Sequence, residues 1–268
     1  MKDLRSRFGF HTTPFTRELA IEHCLTFPQY DEALEALVRV VDRRMSAALI
    51  APAGTGKTTL LRRLVGRLPE ARYRVHYVKV TSLSKRDMCR EIARAVGAEP
   101  AGSYPTLVQR LQERLLAAVD GDGLRPVLLL DEAHDMRPDV LAMVRILTNF
   151  DMDSRLVVSV ILSGQNPLRE MLRKDELEDV ARRLAHVSTL RTLSRDELVR
   201  YIAHRAAVAG AANTPFDAAA VDGIYEIGRG NLRATDRLAL KALELAHEAD
   251  RDVVGAAEIV EARRCLWA

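Results

Sequence analysis

The chain has 268 residues, of which 48% are hydrophobic, 29% charged and only 5% aromatic, and its formal net charge is +3. This composition excludes a disordered chain, and the length fits one large domain or two smaller ones. The longest apolar runs fall far short of the roughly 20 residues that span a bilayer, and no export signal is visible at the start. The three cysteines lack metal-ligand spacing. We therefore expect a reduced, cytoplasmic protein without a membrane segment.

Helices and strands alternate over the first two thirds of the chain. Asp31 is expected to cap the first helix. Strands separated by helices favour a parallel sheet with right-handed crossovers. The spacing of apolar residues predicts helices at 30–44, 57–68, 86–96, 106–119 and 139–149, and strands at 47–50, 75–80, 127–130, 156–162 and 187–190.

Beyond residue 190 the pattern changes to helices alone. We therefore predict an α/β core at 1–190, with an N-terminal extension at about 1–28, and an all-helical lid at 191–268. The lid helices are predicted at 194–209, 217–227, 231–249 and 256–266.

A glycine-bearing loop follows the first strand. Ala51-Pro-Ala-Gly-Thr-Gly-Lys57-Thr58 fits the Walker A pattern, except that Ala51 replaces the first glycine. Backbone N–H groups and the positive end of the following helix would cradle phosphate. Lys57 would neutralise the β- and γ-phosphates of ATP, and the Thr58 hydroxyl would bind Mg²⁺. An ordinary strand-to-helix turn is the alternative, and the strand before and helix after the loop favour the phosphate site.

Two acids end a later apolar strand, Val127-Leu-Leu-Leu-Asp131-Glu132. Asp131 would contact the metal through its water shell, and Glu132 would polarise a water for attack on the γ-phosphate. A buried strand with a polar end is the alternative, and the upstream loop favours the catalytic interpretation. The predicted nucleotide-binding residues are Ala53, Gly54, Thr55, Gly56, Lys57, Thr58, Thr59 and Asp131, with Thr58 and Asp131 at the metal.

With these motifs the chain resembles the AAA+ ATPases, specifically the ExeA-like group that includes the transposition ATPases TniB, TnsC, IstB and MuB. The resemblance covers nearly the whole chain. It implies a P-loop core with a central parallel five-stranded sheet in the order 5-1-4-3-2, followed by a helical lid. The further segments that carry it are Arg7-Phe-Gly-Phe10 with Pro14-Phe15, Leu147-Thr-Asn-Phe150, Leu162-Ser-Gly-Gln165-Asn-Pro-Leu168 and Gly230-Asn-Leu-Arg233.

The resemblance assigns Gln165 to sensor 1, a polar residue near the attacking water. Ser163 and Asn166 lie close by but narrowly miss the sensor 1 position, and a turn residue capping the next helix is the alternative for Gln165. Asp131 to His134 spells a DEAH box, but other helicase motifs are absent. We therefore expect a supporting or structural role for His134.

Three arginines receive roles from the same resemblance. Arg182 and Arg183 match the segment that carries an arginine finger toward a neighbouring subunit's γ-phosphate, and Arg183 is the favoured one. Arg233 matches sensor 2, which couples the lid to the nucleotide. Solvated helix arginines are the alternative for all three.

A basic and hydroxyl-rich segment follows the second strand and opens a helix. Such groups make sequence-independent contacts to phosphate. A helix start capped by Ser84, with its basic residues in water, is an equal alternative. The predicted DNA-binding residues are Lys79, Thr81, Ser82, Lys85 and Arg86.

The leading hypothesis is an ATPase that binds ATP and Mg²⁺, assembles as a ring or helical filament on duplex DNA, and selects targets and activates a transposase. Turnover is expected to be slow and stimulated by assembly. One alternative is an ExeA-like ATPase of secretion or envelope assembly, and the expected lack of a membrane segment favours DNA over it. A nucleotide-switch adaptor with little turnover is the other alternative.

Overall fold

The computed structural model describes residues 4–267, and these residues form two compact units. The sheet unit comprises residues 28–52 and 57–190, and the helical unit comprises 4–27, 53–56 and 191–267. Residues 1–3 and 268, which fall within the predicted domains, lie outside the described residues. Within the described part of the chain, no helix is both long and apolar enough to cross a lipid bilayer.

Parallel strands and helices alternate in the sheet unit, and helices make up most of the helical unit. In chain order the elements are α1 (Leu4–Phe8), α2 (Pro28–Asp42), β1 (Ser46–Ile50), α3 (Lys57–Arg67), β2 (Tyr73–Lys79), α4 (Lys85–Val96), α5 (Tyr104–Asp120), β3 (Arg125–Asp131), α6 (Pro138–Leu141), α7 (Met143–Leu147), β4 (Ser159–Gly164), α8 (Asn166–Leu172), α9 (Glu178–Arg182), β5 (Leu184–Thr189), α10 (Arg195–Val208), α11 (Ala218–Gly228), α12 (Leu232–Glu248) and α13 (Ala256–Leu266), with short 3-10 turns at Ile21–His23, Ala133–Asp135 and Asp175–Leu177.

The five strands form one parallel sheet in the order β2-β3-β4-β1-β5, which confirms the predicted order. β1 and β4 are buried along their whole length, because the contiguous apolar runs that predicted them lie at the centre of the sheet. The register places Ile50 beside Gly164 and Lys79 beside Asp131. The carboxyl ends of these strands therefore share one edge, where α/β sheets bind ligands.

Several predicted boundaries are wrong, and β5, for example, begins at Leu184, three residues earlier than predicted. The helix predicted at 139–149 is broken into α6 and α7. Each of the two short helices buries apolar residues that are adjacent in sequence, whereas one continuous helix would bury residues along a single face. β4 starts three residues later than predicted, because pairing with β3 begins at Ser159. α2 begins at Pro28, whose fixed φ suits a first turn, so Asp31 lies inside the helix and pairs with Arg63 at 2.8 Å.

The N-terminal segment groups with the helical unit and not with the core, of which it is predicted to be an extension. Phe15 packs edge-on against Phe216, with ring centroids 5.7 Å apart. The buried Arg205 guanidinium lies 5.7 Å from the Phe15 ring and donates a 2.7 Å hydrogen bond to the carbonyl of Thr16. These contacts explain the grouping, because Arg205 ties the segment to α10 and Phe216 ties it to the chain just before α11.

The first turn of α10 depends on one buried carboxylate. Ser194 and Glu197 form a capping box, and Arg191 donates 2.6 and 2.9 Å hydrogen bonds to Glu197. Hydrogen bonding from Arg191 is the main reason that the pKa of Glu197 falls to about 2. The charged form is therefore stabilised by folding, and this contribution is lost as the pH falls from about 4.5 toward about 2.

Glu197→Gln should lower the free energy of unfolding by about 1–2 kcal/mol at neutral pH, because the charge-assisted bonds are lost while the cap geometry is kept. Chemical denaturation from neutral pH down to about pH 3 measures the difference, which should shrink as the pH falls. Glu226→Gln, at an exposed pair with Arg229, is the matched control and should change little. A difference that is constant with pH would contradict the assignment.

Candidate functional site

The loop between β1 and α3 has the backbone of a phosphate-binding loop. Gly54 and Gly56 have φ of +73° and +90°, a region that favours glycine. α3 begins at Lys57, so the N–H groups of its first turn lie at the end of the loop. The Lys57 side chain is buried, and its Nζ donates to the carbonyls of Ala51 and Pro52 at 3.2 and 3.3 Å. The loop, helix start and ammonium together fit a phosphate group.

The tip of this loop is held within the helical unit. The Asn231 amide donates to the carbonyl of Ala53 at 2.6 Å, and the Arg233 backbone N–H donates to the carbonyl of Gly54 at 3.2 Å. A Cβ added to Gly54 would lie 2.4 Å from Asn231 Oδ1, so glycine is required there. The predicted sensor 2 segment therefore contacts the loop through its backbone, while the Arg233 side chain is exposed.

Asp131, at the end of β3, is the centre of the second half of the site. Its side chain accepts hydrogen bonds from Ser163 Oγ at 2.8 Å, Tyr77 OH at 3.1 Å and Thr58 Oγ1 at 3.5 Å. The backbone N–H of Glu132 donates a further hydrogen bond to Asp131 Oδ1 at 3.0 Å. The structure thus brings together Thr58 and Asp131, the two residues expected at the metal, and their oxygens are the ligands that Mg²⁺ prefers.

No group of three or more His, Cys, Asp or Glu residues that could hold a metal occurs among residues 4–267. Mg²⁺ is usually held by one or two protein oxygens together with waters and substrate phosphates. Thr58 and Asp131 could provide these one or two protein oxygens.

Sequence reasoning missed Tyr77 and set Ser163 aside. Partial desolvation and the charge of Asp131 raise the pKa of Tyr77 to about 12 although the residue is half-exposed, so the phenol stays a donor. Tyr77 lies on β2 opposite Leu129, and only the pairing of β2 with β3 reveals that its hydroxyl reaches Asp131 at the end of β3. For Ser163 a signal existed, since it is a buried hydroxyl at the end of a central apolar strand and such a group needs a partner.

Glu132 and Gln165 lie on either side of a histidine. Glu132 has φ of 58° and ψ of 35°, a left-handed conformation that non-glycine residues seldom adopt. Gln165 precedes α8 but makes no side-chain cap, so the predicted alternative of a capping side chain is not realised. Its side-chain amide lies 2.7 Å from Nε2 of His134, and His134 Nδ1 lies 3.4 Å from Glu132 Oε2.

The two candidate finger arginines differ in their surroundings. The Arg183 side chain is 22% exposed and donates two hydrogen bonds to Asp153, at 2.6 and 2.8 Å. This bonding lowers the pKa of the Asp153 carboxyl. The Arg182 side chain is 71% exposed and pairs with Glu178 on its own helix. Both arginines, with Arg145, line an open cavity of about 740 Å³ that includes no phosphate-loop residue.

The predicted DNA-binding segment is exposed, and its helix start is also capped. Ser84 accepts the N–H of Asp87 in the first turn of α4, as the alternative required. Lys85 Nζ lies 3.8 Å from an Asp139 oxygen, and Arg86 is bonded to a backbone carbonyl. The Ser84 cap at the start of α4 is therefore compatible with an exposed cationic surface on the same segment. The residues exposed in this segment are Lys79, Thr81, Ser82, Lys85 and Arg86.

A phosphate loop after β1, an acid pair at the end of β3 and a parallel sheet in the order β2-β3-β4-β1-β5 define a P-loop ATPase of the AAA+ class. The profile of the family described as AAA domain matches residues 39–172, half of the chain. The chain belongs to this family.

Comparison with characterised proteins gives one named relative. The chain is 29% identical over 239 residues to general secretion pathway protein A of Aeromonas hydrophila. The match covers 88% of this chain, which spans only 43% of the relative's length.

Solved structures show the same fold at low sequence identity. Cdc6p of Pyrobaculum aerophilum has a TM-score of 0.76 at 18% identity, covering 94% of this chain and 70% of that one. The ORC1 protein of Aeropyrum pernix in complex with DNA has a TM-score of 0.69 at 19% identity, covering 99% and 71%. The RuvB Holliday junction branch migration motor of Thermotoga maritima has a TM-score of 0.60 at 18% identity, covering 94% and 73%.

Proposed function

We propose that this chain hydrolyses ATP in an ATP-dependent assembly with other copies of itself. The observation that carries the proposal is the cluster around Asp131. The buried carboxylate at the end of β3 accepts hydrogen bonds from three side-chain hydroxyls, and one of these hydroxyls lies in the first turn of the phosphate-loop helix. Glu132 follows directly, where a general base for an attacking water is needed.

In the proposed ATP hydrolysis, each residue of the site would have a separate role. Lys57 and the loop N–H groups bind the phosphates, and Thr58 with Asp131 holds Mg²⁺. ATP bound with Mg²⁺ supplies an electrophilic γ-phosphorus. Glu132 accepts a proton from water at its carboxylate, and Gln165 orients that water. The nucleotide-binding role extends to the remaining loop residues, Ala53, Gly54, Thr55, Gly56 and Thr59.

Assembly would complete the site. Arg183 would leave Asp153 and reach the γ-phosphate held by a neighbouring subunit, where its planar fork contacts two oxygens. Arg182 is the less suited of the pair because its guanidinium pairs with Glu178 one turn back on its own helix. Arg233, whose backbone holds the loop tip, would couple the helical unit to the nucleotide. Turnover that depends on a neighbour is slow until subunits assemble.

Duplex DNA is the proposed platform for the assembly, and target selection with activation of a transposase is its proposed purpose. The exposed segment that follows β2 supports DNA binding, since hydroxyls, lysines and a helix start suit phosphate contacts. The fold is shared with an ORC1 protein solved with DNA. A net charge of +3 is sufficient if a few contacts per subunit add up along a filament.

Lys79→Ala with Lys85→Ala should weaken duplex DNA binding in the presence of an ATP analogue and lower the salt slope by about two. Nucleotide affinity should not change. Arg263→Ala with Arg264→Ala, an exposed pair on α13, removes the same charge elsewhere and should change DNA binding little. Anisotropy titrations at several salt concentrations give both quantities. Equal losses in the two double variants would show that net charge, and not this segment, controls binding.

A role in secretion or envelope assembly is the second candidate, and the similarity to general secretion pathway protein A favours it.

Electron microscopy separates the two proposals. ATP-dependent filaments or rings that need duplex DNA would support transposition, whereas assembly that ignores DNA would favour secretion. An adaptor role is supported if nucleotide binds and drives assembly without measurable turnover.

A further inference from the structure

A cluster of three polar side chains lies in the interior of the helical unit. Arg205 on α10 is 6% exposed, and its guanidinium donates to the Tyr201 hydroxyl at 2.9 Å and to Asp236 at 3.3 Å. The Tyr201 hydroxyl in turn donates to Asp236 at 2.9 Å. Two residues of α10 therefore hold one carboxylate of α12, and none of the three has a part in the proposed hydrolysis.

The same guanidinium also holds the N-terminal segment. Arg205 donates to the carbonyl of Thr16 at 2.7 Å and lies 5.7 Å from the centroid of the Phe15 ring. Phe15 is buried and has φ of +57°, a left-handed conformation that a bulky side chain seldom adopts. Such a conformation persists only where its surroundings impose it. The contacts with Arg205 and Phe216 do so here, and the segment and the cluster therefore depend on each other.

The start of α12 lies against the tip of the phosphate-binding loop. Asn231 caps the helix by accepting the N–H of Ala234, and its amide donates to the carbonyl of Ala53 at 2.6 Å. Gly54 is so close that a Cβ added to it would lie 3.0 Å from the Cβ of Arg233. The first turn of α12 and the loop tip must therefore move together.

A short length of helix joins this contact to the buried cluster. Asp236 lies five residues beyond Asn231, about 7.5 Å along the helix axis. Burial raises the pKa of Asp236 to about 6, although Arg205 acts in the opposite direction. Folding therefore does not favour the charged carboxylate, so its pair with Arg205 adds little stability. The consequence of the pair is the fixed direction of α12.

We propose that Arg205 and Asp236 are positioning residues through which the N-terminal segment sets the affinity of the phosphate-binding loop for nucleotide. While the segment is docked, Arg205 holds Asp236 and α12 keeps its direction, so Asn231 fixes the loop tip. When the segment leaves, the guanidinium loses its carbonyl and its ring partner, and α12 is no longer held. The loop tip then loses its fixed position, and nucleotide binds more weakly. This inference rests on the proposed binding of nucleotide at the loop.

A double-mutant cycle on the full-length protein tests the link between the cluster and the loop. Asp236→Ala, Asn231→Ser and the double variant are compared for the Kd of a fluorescent ATP analogue. Serine can still cap α12, but it has no amide to donate to the loop. Each single variant should raise Kd by about 10-fold, and the double variant should stay within about twofold of the weaker-binding single variant. Losses that multiply, or an unchanged Kd in Asp236→Ala, would overturn the proposal.

Tyr201→Phe is the milder variant of the same link, because it removes only the hydroxyl from the cluster. It should raise Kd by about 3-fold, and it decides the question if Asp236→Ala does not fold. Thermal melting of each variant shows whether it is folded at the temperature of the titration. A folded Tyr201→Phe protein with the Kd of the wild type would contradict the proposal.

Phe15→Leu tests the link to the N-terminal segment. Leucine keeps an apolar side chain in the segment but removes the ring beside the guanidinium, so Kd should again rise by about 3-fold. Phe15→Leu in the Asp236→Ala background should add little, because the same link is already broken. A Kd that does not change in the single variant would show that the segment does not act on the loop.

Two further variants separate the possible failures. Asp222→Ala removes another Asp–Arg pair between helices of this unit, the 2.7 Å bond from Arg195, and should leave Kd unchanged because α12 is not involved. An equal loss in Asp222→Ala would mean that any loosening of the helical unit weakens binding, and would overturn the specific role of Asp236. Lys57→Ala tests the proposed function itself. If it binds nucleotide as well as the wild type does, the nucleotide site is wrong, whereas lost binding in Lys57→Ala with normal binding in Asp236→Ala overturns the positioning role alone.

Discussion

Replacing Glu132 with glutamine is expected to slow ATP hydrolysis by about 10²–10⁴-fold, the usual contribution of a general base. Glutamine keeps the size of the side chain but cannot accept a proton from water. ATP binding should persist, because the phosphate contacts come from Lys57 and the loop. The ATP-bound assembly should therefore accumulate, and both turnover and the size of the assembly can be followed in one sample by phosphate release and light scattering.

Asp135→Asn is the matched control for this change. It removes one negative charge three residues further along the same turn, where the side chain is 55% exposed. Turnover should stay close to wild type. If Glu132→Gln keeps its turnover, or if both variants lose it equally, Glu132 is not the base.

Arg183→Ala is expected to reduce assembly-stimulated hydrolysis by about 10³–10⁵-fold, the effect that arginine fingers have on phosphoryl transfer. The residual activity should no longer rise with protein concentration, since the missing group acts on a neighbouring subunit. ATP affinity of the isolated subunit should be unchanged. Steady-state turnover measured over a range of protein concentrations separates these quantities.

Arg182→Ala is the control for the finger, because it removes the same side chain from the adjacent position. Arg182 is exposed and pairs only within its own helix among the described contacts, so little loss is expected. A large loss in Arg182→Ala with a small one in Arg183→Ala would exchange the two roles.

Local chemistry explains why much of the fold could be predicted. The strands β1, β3 and β4 are contiguous apolar runs that only a sheet centre can bury, and the loop 51–58 carries glycines where the backbone needs positive φ. The sheet order came from the family resemblance and is confirmed. These features depend on residues that are close in sequence, or on a pattern shared by the family.

Features that depend on tertiary contact could not be predicted. Tyr77 meets Asp131 because of one particular register between two strands. His134 and Gln165 are 31 positions apart and meet because β4 ends against the turn after β3. The N-terminal aromatic residues were recognised as a family signature, but their place in the helical unit follows from Phe216 and Arg205, far along the chain.

Mixing two inactive variants tests the central claim, hydrolysis at a site completed by a neighbouring subunit, most directly. Glu132→Gln lacks the base but retains the finger, and Arg183→Ala lacks the finger but retains the base. In a mixed assembly some sites combine an intact base with an intact finger from the next subunit. We expect the mixture to hydrolyse ATP although neither variant does so alone. A mixture that co-assembles and stays as inactive as its components would contradict it.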